Sequence, residues 1–136
     1  MPVYTATADI YNVLSSKIVA ELTDDTAGTT VDTDKVDSAL DRAESVVDSY
    51  VGKVYSVPLD TPVLDSIAHA VLVLAKCYLY HRRPGATPDE VQAHCDKIED
   101  WLLKVSTGEV VLEGLAIGKN IAETDSDDEQ FSVQVF

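Results

Sequence analysis

Pro62-Val63-Leu64-Asp65-Ser66-Ile67-Ala68-His69-Ala70-Val71-Leu72-Val73-Leu74-Ala75-Lys76-Cys77-Tyr78-Leu79-Tyr80-His81-Arg82-Arg83 is the stretch that decides the fold. Its apolar residues fall on nearly every side of a helix, the pattern of a helix buried at the centre of a bundle. Asp65, His69 and Lys76 interrupt the run, and each would be expensive at mid-bilayer, so a core helix is expected and not a membrane span. Thr61 before Pro62 predicts the start, because proline at the first helical position loses no needed amide. Arg82 and Arg83 in the last turn complement exposed carbonyls, and Pro84-Gly85 ends the helix.

Downstream, Thr87-Pro88-Asp89-Glu90 repeats the start signal of cap, proline and early acids. Val91, Cys95, Ile98, Trp101 or Leu102, and Val105 follow at helical spacing, and Gly108 is placed to stop them. Two long helices joined by a short turn predict an antiparallel hairpin.

Upstream, Val57-Pro58-Leu59-Asp60-Thr61-Pro62 is a rigid connection, since each proline fixes its own φ and restricts the residue before it. Before it, Val36, Leu40, Ala43, Val47, Tyr50 and Val54 alternate steps of four and three on one stripe of a helix capped by Thr33 or Asp34. Asp37, Asp41, Arg42, Glu44 and Asp48 are assigned to its wet face, and Gly52 weakens its last turn. Residues 23–30, rich in Asp, Thr and Gly, read as a loop. The first helix is expected to be capped by Thr7 and to carry Ile10, Val13 and Leu14, with Ser15-Ser16 bending or dividing it before Ile18, Val19 and Leu22.

Beyond Gly108 the composition changes. Residues 109–113 read as a short strand, and from Glu109 onward seven acids stand against Lys119 alone, a net of -6. Such a charge excess predicts a flexible acidic tail. At its end Phe131, Val133 and Val135 alternate with Ser132 and Gln134 before Phe136, the period of a half-buried strand. The expected fold is all-α: a small bundle of about four helices around a central apolar hairpin, with an extended or β-strand C-terminal tail. Residues 1–112 form the helical domain and 113–136 the tail.

With 136 residues, 46% of them hydrophobic, the chain can bury a core without metals or disulfides. Its formal charge of -14 repels phosphate backbones and anionic lipid, which excludes tight nucleic-acid binding. Met1-Pro2-Val3-Tyr4-Thr5 carries no basic and apolar leader, so a cytosolic chain is expected, with Cys77 and Cys95 reduced and buried.

No residue pattern supports catalysis or a cofactor. A Gly-x-Ser-x-Gly turn is missing, and Gly114-Leu115-Ala116-Ile117-Gly118-Lys119 lacks the spacing and hydroxyl of a phosphate loop. Cys77 and His81 share a helix face, and His94-Cys95 lies across the hairpin, a geometry that allows zinc; buried cysteines with partly exposed histidines are the simpler reading. The acidic pairs Asp24-Asp25, Glu99-Asp100 and Asp127-Asp128 lack the spacing of a calcium loop and read as solvated faces.

Interface candidates remain. Arg82 and Arg83 either dock an acidic partner or only serve the helix end and solvent. Phe131, Val133, Val135 and Phe136 either add a strand to a neighbour or fold back on their own chain.

Three phrases carry a family resemblance: Tyr4-Thr5-Ala6-Thr7-Ala8-Asp9; Tyr50 and Tyr55 followed by Pro58-Leu59; and Cys77-Tyr78-Leu79-Tyr80-His81-Arg82-Arg83-Pro84 with Pro88-Asp89-Glu90-Val91 and Trp101-Leu102-Leu103-Lys104-Val105-Ser106-Thr107-Gly108-Glu109-Val110-Val111-Leu112. In order and spacing, over roughly residues 4 to 112, the chain resembles head-tail connector (neck) proteins of Mu-like bacteriophages and prophages. It departs from that family at His94-Cys95, where a basic or aromatic pair is usual, and in its acidic tail. The resemblance implies a non-enzymatic adaptor that forms a ring with copies of itself and binds neighbouring portal or tail proteins, first in the host cytoplasm and then in the virion neck. A prophage-encoded binding module that never enters a particle is the alternative, with a small zinc protein behind it.

Overall fold

A computed structural model describes residues 2–85 and 87–113. Among these the chain is helical, without strands: a 3₁₀ helix Thr7–Asn12, then α1 (Ser16–Thr23), α2 (Thr33–Val51), α3 (Asp65–His81) and α4 (Asp89–Thr107). The terminal strand-like segment, with Phe131, Val133, Val135 and Phe136, lies outside the described residues.

The central position of α3 is as expected from its composition. Ile67, Ala70, Val71, Leu72, Val73, Leu74, Ala75, Cys77 and Leu79 are all buried, and they serve two clusters. The larger cluster joins α3 to Ile10, Leu14, Val19, Leu22, the stripe of α2, and Leu102, Val105 and Leu112. The smaller one holds Val73, Cys77 and Cys95 between α3 and α4. Contacts of Cys77 with Cys95 and of His81 with Gln92 run in opposite chain directions, so the hairpin is antiparallel.

Along the predicted stripe of α2, Val36, Leu40, Ala43 and Val47 are fully buried. Tyr50 is partly buried, and Val54 lies beyond the end of the helix at Val51.

Several boundaries differ from expectation, each because a different group meets the helix end. Asp32, not Thr33 or Asp34, caps α2, its carboxylate accepting from the amides of Asp34 and Lys35. Ser15 caps α1 through its hydroxyl, which divides the N-terminal helix in two. The Thr7 hydroxyl donates to Asp37 of α2 instead of capping; Asp9 holds the first turn by accepting from the Ala6 amide at 2.9 Å.

Helix α3 begins at Asp65 and not at Pro62. Leu64 is extended (φ -58°, ψ 147°), and its carbonyl takes the first amides, those of Ile67 and Ala68. The Val57–Pro58 and Thr61–Pro62 peptides are both cis.

Gly108, with φ at 85°, ends α4 in the left-handed conformation that glycine tolerates best. The strand expected over 109–113 does not form. The Val110 amide donates to the Lys104 carbonyl at 3.2 Å, and the Leu112 amide to the Tyr55 hydroxyl at 2.8 Å, so both are used in closing the bundle.

The reduced cysteines expected in the core are also corrected. Cys77 and Cys95 form a disulfide across the hairpin, with Cα atoms 6.1 Å apart. Their near-complete burial was legible as apolar character, but facing positions on two antiparallel helices also bring the sulfurs together.

Candidate interaction surfaces

The loop between α1 and α2 is organised by two neighbouring carboxylates. Asp24 accepts from the amides of Thr26, Ala27, Thr29 and Thr30 and from the Thr26 hydroxyl, which folds the loop around one side chain. Asp25 gathers three cations: Lys35 of α2 and, just past the end of α3, Arg82 (Nη2 to both carboxylate oxygens at 2.9 and 3.1 Å) and Arg83 at 2.8 Å.

The same cations cap α1. No basic residue lies in its last turn, so its terminal carbonyls need donors from elsewhere. Arg82 donates to the Leu22 carbonyl, Lys35 to that of Thr23 at 3.2 Å, and Arg83 to that of Asp24 at 3.2 Å. Arg82 and Arg83 therefore do meet a helix C-terminus, but that of α1 and not their own.

These contacts hold the carboxyls of Asp24 and Asp25 well below the ordinary range. For Asp24 the largest cause is the Thr26 hydroxyl; for Asp25 it is Lys35, followed by Arg82 and Arg83. The two acids are not merely a solvated face. They and the arginines make a preset surface, the exposed loop 24–30 at one end of α1.

A second constellation fixes the N-terminus to α2. Glu44 is buried, at 7% exposure, although alternation assigned it to the wet face. Its carboxylate accepts from the amides of Val3 (2.7 Å), Tyr4 (2.9 Å) and Thr5 (3.1 Å) and from the Thr5 hydroxyl (3.1 Å). A buried carboxylate held by several donors fits the rule that buried charge must be hydrogen-bonded. The signal was available, since Glu44 follows Leu40 by four and precedes Val47 by three on the buried side.

Tyr4 extends this latch. Its hydroxyl donates to Asp48 at 2.7 Å and accepts from the Leu59 amide at 2.9 Å. Burial first, then the bond to Asp48, pushes the phenol up to about 12. The opening phrase containing Tyr4 thus meets the Pro58-Leu59 phrase in space, while Tyr55 holds Leu112. The three phrases that carried the resemblance are the joints of one bundle.

The chain is matched by a family model described as Bacteriophage Mu, Gp36, over residues 4–132. The chain belongs to this family. The Gp36 match begins at Tyr4 of the latch and runs past Leu112 into the acidic C-terminal stretch, so it covers more of the chain than the resembling phrases. No curated protein matches the chain.

Among the described residues no group of three or more His, Cys, Asp or Glu side chains is arranged to hold a metal ion. The zinc alternative needed thiolates at Cys77 and Cys95, and these sulfurs are bonded to each other. His81 instead contacts the Gln92 amide oxygen, and His94 contacts Lys76. Also among the described residues, no helix is long and apolar enough to cross a membrane.

Proposed function

We propose that this Gp36-family chain is a structural virion protein: a head-tail connector or head-completion adaptor that binds copies of itself and adjoining portal or tail proteins, without catalysis. The observation that carries the proposal is the Mu Gp36 match across residues 4–132. The architecture supports it, because the N-terminus, the α1–α2 loop and the end of α4 are each tied to the bundle by side-chain hydrogen bonds. Binding to a rigid surface loses less entropy than binding to a loose one.

In this function the loop that Arg82 and Arg83 hold in place presents one contact surface. The apolar end of the chain, with Phe131, Val133, Val135 and Phe136, supplies another by strand addition to a neighbour. The chain would reside in the host cytoplasm before assembly and in the virion neck afterwards. A ring of copies each at -14 would repel DNA passing through its lumen.

Deletion of the gene from the encoding phage tests the proposal. Filled heads and free tails that do not join, restored by the wild-type chain but not by a chain lacking residues 131–136, are expected. Normal joined particles without the chain would exclude an adaptor role.

A further inference from the structure

In this acidic chain, basic groups gather on one face of the α3–α4 hairpin. Lys76 Nζ lies 3.3 Å from His94 Nδ1, and the rings of His69 and His94 stand 5.8 Å apart between centroids. Lys97 follows His94 by one turn of α4, on the same side. Lysine can only donate, so His94 receives it with a neutral ring protonated at Nε2. Burial, then the positive charges of Lys76, His69 and Lys97, pulls the His94 pKa below its ordinary value.

Lys35, Arg82 and Arg83 share Asp25, and Lys104 pairs with Asp100. Among the described residues no ion pair engages Lys76 or Lys97. This leaves two lysines without an ion pair beside two imidazoles, on a molecule of net charge -14.

We propose that the chain's own acidic stretch, residues 123–129, docks on this island of His69, Lys76, His94 and Lys97. The stretch carries Glu123, Asp125, Asp127, Asp128 and Glu129 without a basic residue, the densest carboxylate run in the sequence. Its reach is sufficient. From Gly108 back to Lys97 and His94 is about 16 and 21 Å along α4 at the helical rise, and the ten-residue step from Glu113 to Glu123 spans at most about 35 Å.

A tethered segment acts at an effective concentration on the order of millimolar, so in dilute solution it outcompetes the same segment of a second copy. Docking would bring carboxylates beside Lys76 and Lys97 and favour the charged form of His94. The inference is independent of the connector proposal and holds for the free chain.

The test is an NMR titration of His94 in the full-length chain and in a full-length variant carrying E123Q, D125N, D127N, D128N and E129Q, with a second variant, K76Q/K97Q, as control. At low salt the tail-neutralised chain is expected to bind the His94 proton about threefold or more weakly than wild type, since nearby carboxylates favour the charged ring. High salt should erase the difference. Amide shifts at His69 and Lys97 should change with the tail charges in wild type, not in K76Q/K97Q, and equally at low and high protein concentration. Identical His94 titrations and island shifts in wild type and the tail-neutralised chain would overturn the proposal. A difference seen only at high protein concentration would overturn it too, by assigning the docked segment to a second copy.

Discussion

Glu44 Oε2 accepts both the amide and the hydroxyl of Thr5, each at 3.1 Å. With Val3 and Tyr4 on the same carboxylate, this pair anchors the start of the chain. Replacing Glu44 by Ala leaves these donors without their acceptor, and a lost charged acceptor costs about 2–4 kcal/mol. Urea unfolding should show that loss, with fast hydrogen exchange at Tyr4 and Thr5. A change under about 0.5 kcal/mol, the range of an ordinary surface substitution, would refute the latch.

The disulfide gives a second expectation. Cys77 and Cys95 are 18 residues apart in sequence, and closing a loop of this length stabilises the folded state by about 3 kcal/mol. The double change to Ala, compared with the oxidised chain, should lower stability by about that amount while far-UV dichroism still reports helix. The larger core does not include these cysteines, so the bundle should survive. Equal unfolding midpoints with and without reductant would contradict a bonded pair.

How much of this was visible beforehand depended on the kind of force involved. Periodicity located the three long helices and the buried stripe, because burial of Leu40 or Ile67 follows from helical geometry alone. It misassigned Glu44, since alternation reports which side faces the core but not when a carboxylate is wanted there by backbone amides from 40 residues away. The pairing of Arg82 with Asp25 spans 57 residues and leaves no local signature. The Cys77–Cys95 bond was obscured by a rule about compartments, whereas the hairpin register placed the sulfurs together.

Acid should loosen the α1–α2 loop before it melts the core. The folded pKa of Asp25 is depressed, so its contribution is present above the unfolded value near 4 and is lost as pH falls through the folded value. His94 adds an earlier loss: its folded pKa is lowered, so stability declines as pH falls below about 6.5. Tyr4 acts at the other extreme, its raised pKa removing stability as pH climbs from 10 to about 12. Protection of amides 26–30, taken relative to the intrinsic exchange rate at each pH, should fall below pH 4 in wild type and already be low at pH 7 in Asp25→Asn. Unchanged protection in Asp25→Asn would show that the three cations do not hold the loop.

Uncapping α1 should act locally. Arg82→Ala with Arg83→Ala removes donors from the Leu22 and Asp24 carbonyls. Partly exposed ion pairs contribute roughly 0–1 kcal/mol each, so global stability should fall only modestly. In an assembly assay the same variant should join heads to tails poorly, because the loop it loosens is the proposed contact surface. Full joining efficiency would remove that loop from the interface.

As a connector, this Gp36-family chain is expected inside the particle. Quantitative mass spectrometry of purified virions from the encoding phage tests it most directly, together with density at the head-tail junction that fits the α2–α4 bundle. The expected result is a constant copy number per particle, with each copy at the neck. A chain abundant in the lysate but absent from purified particles would contradict the account.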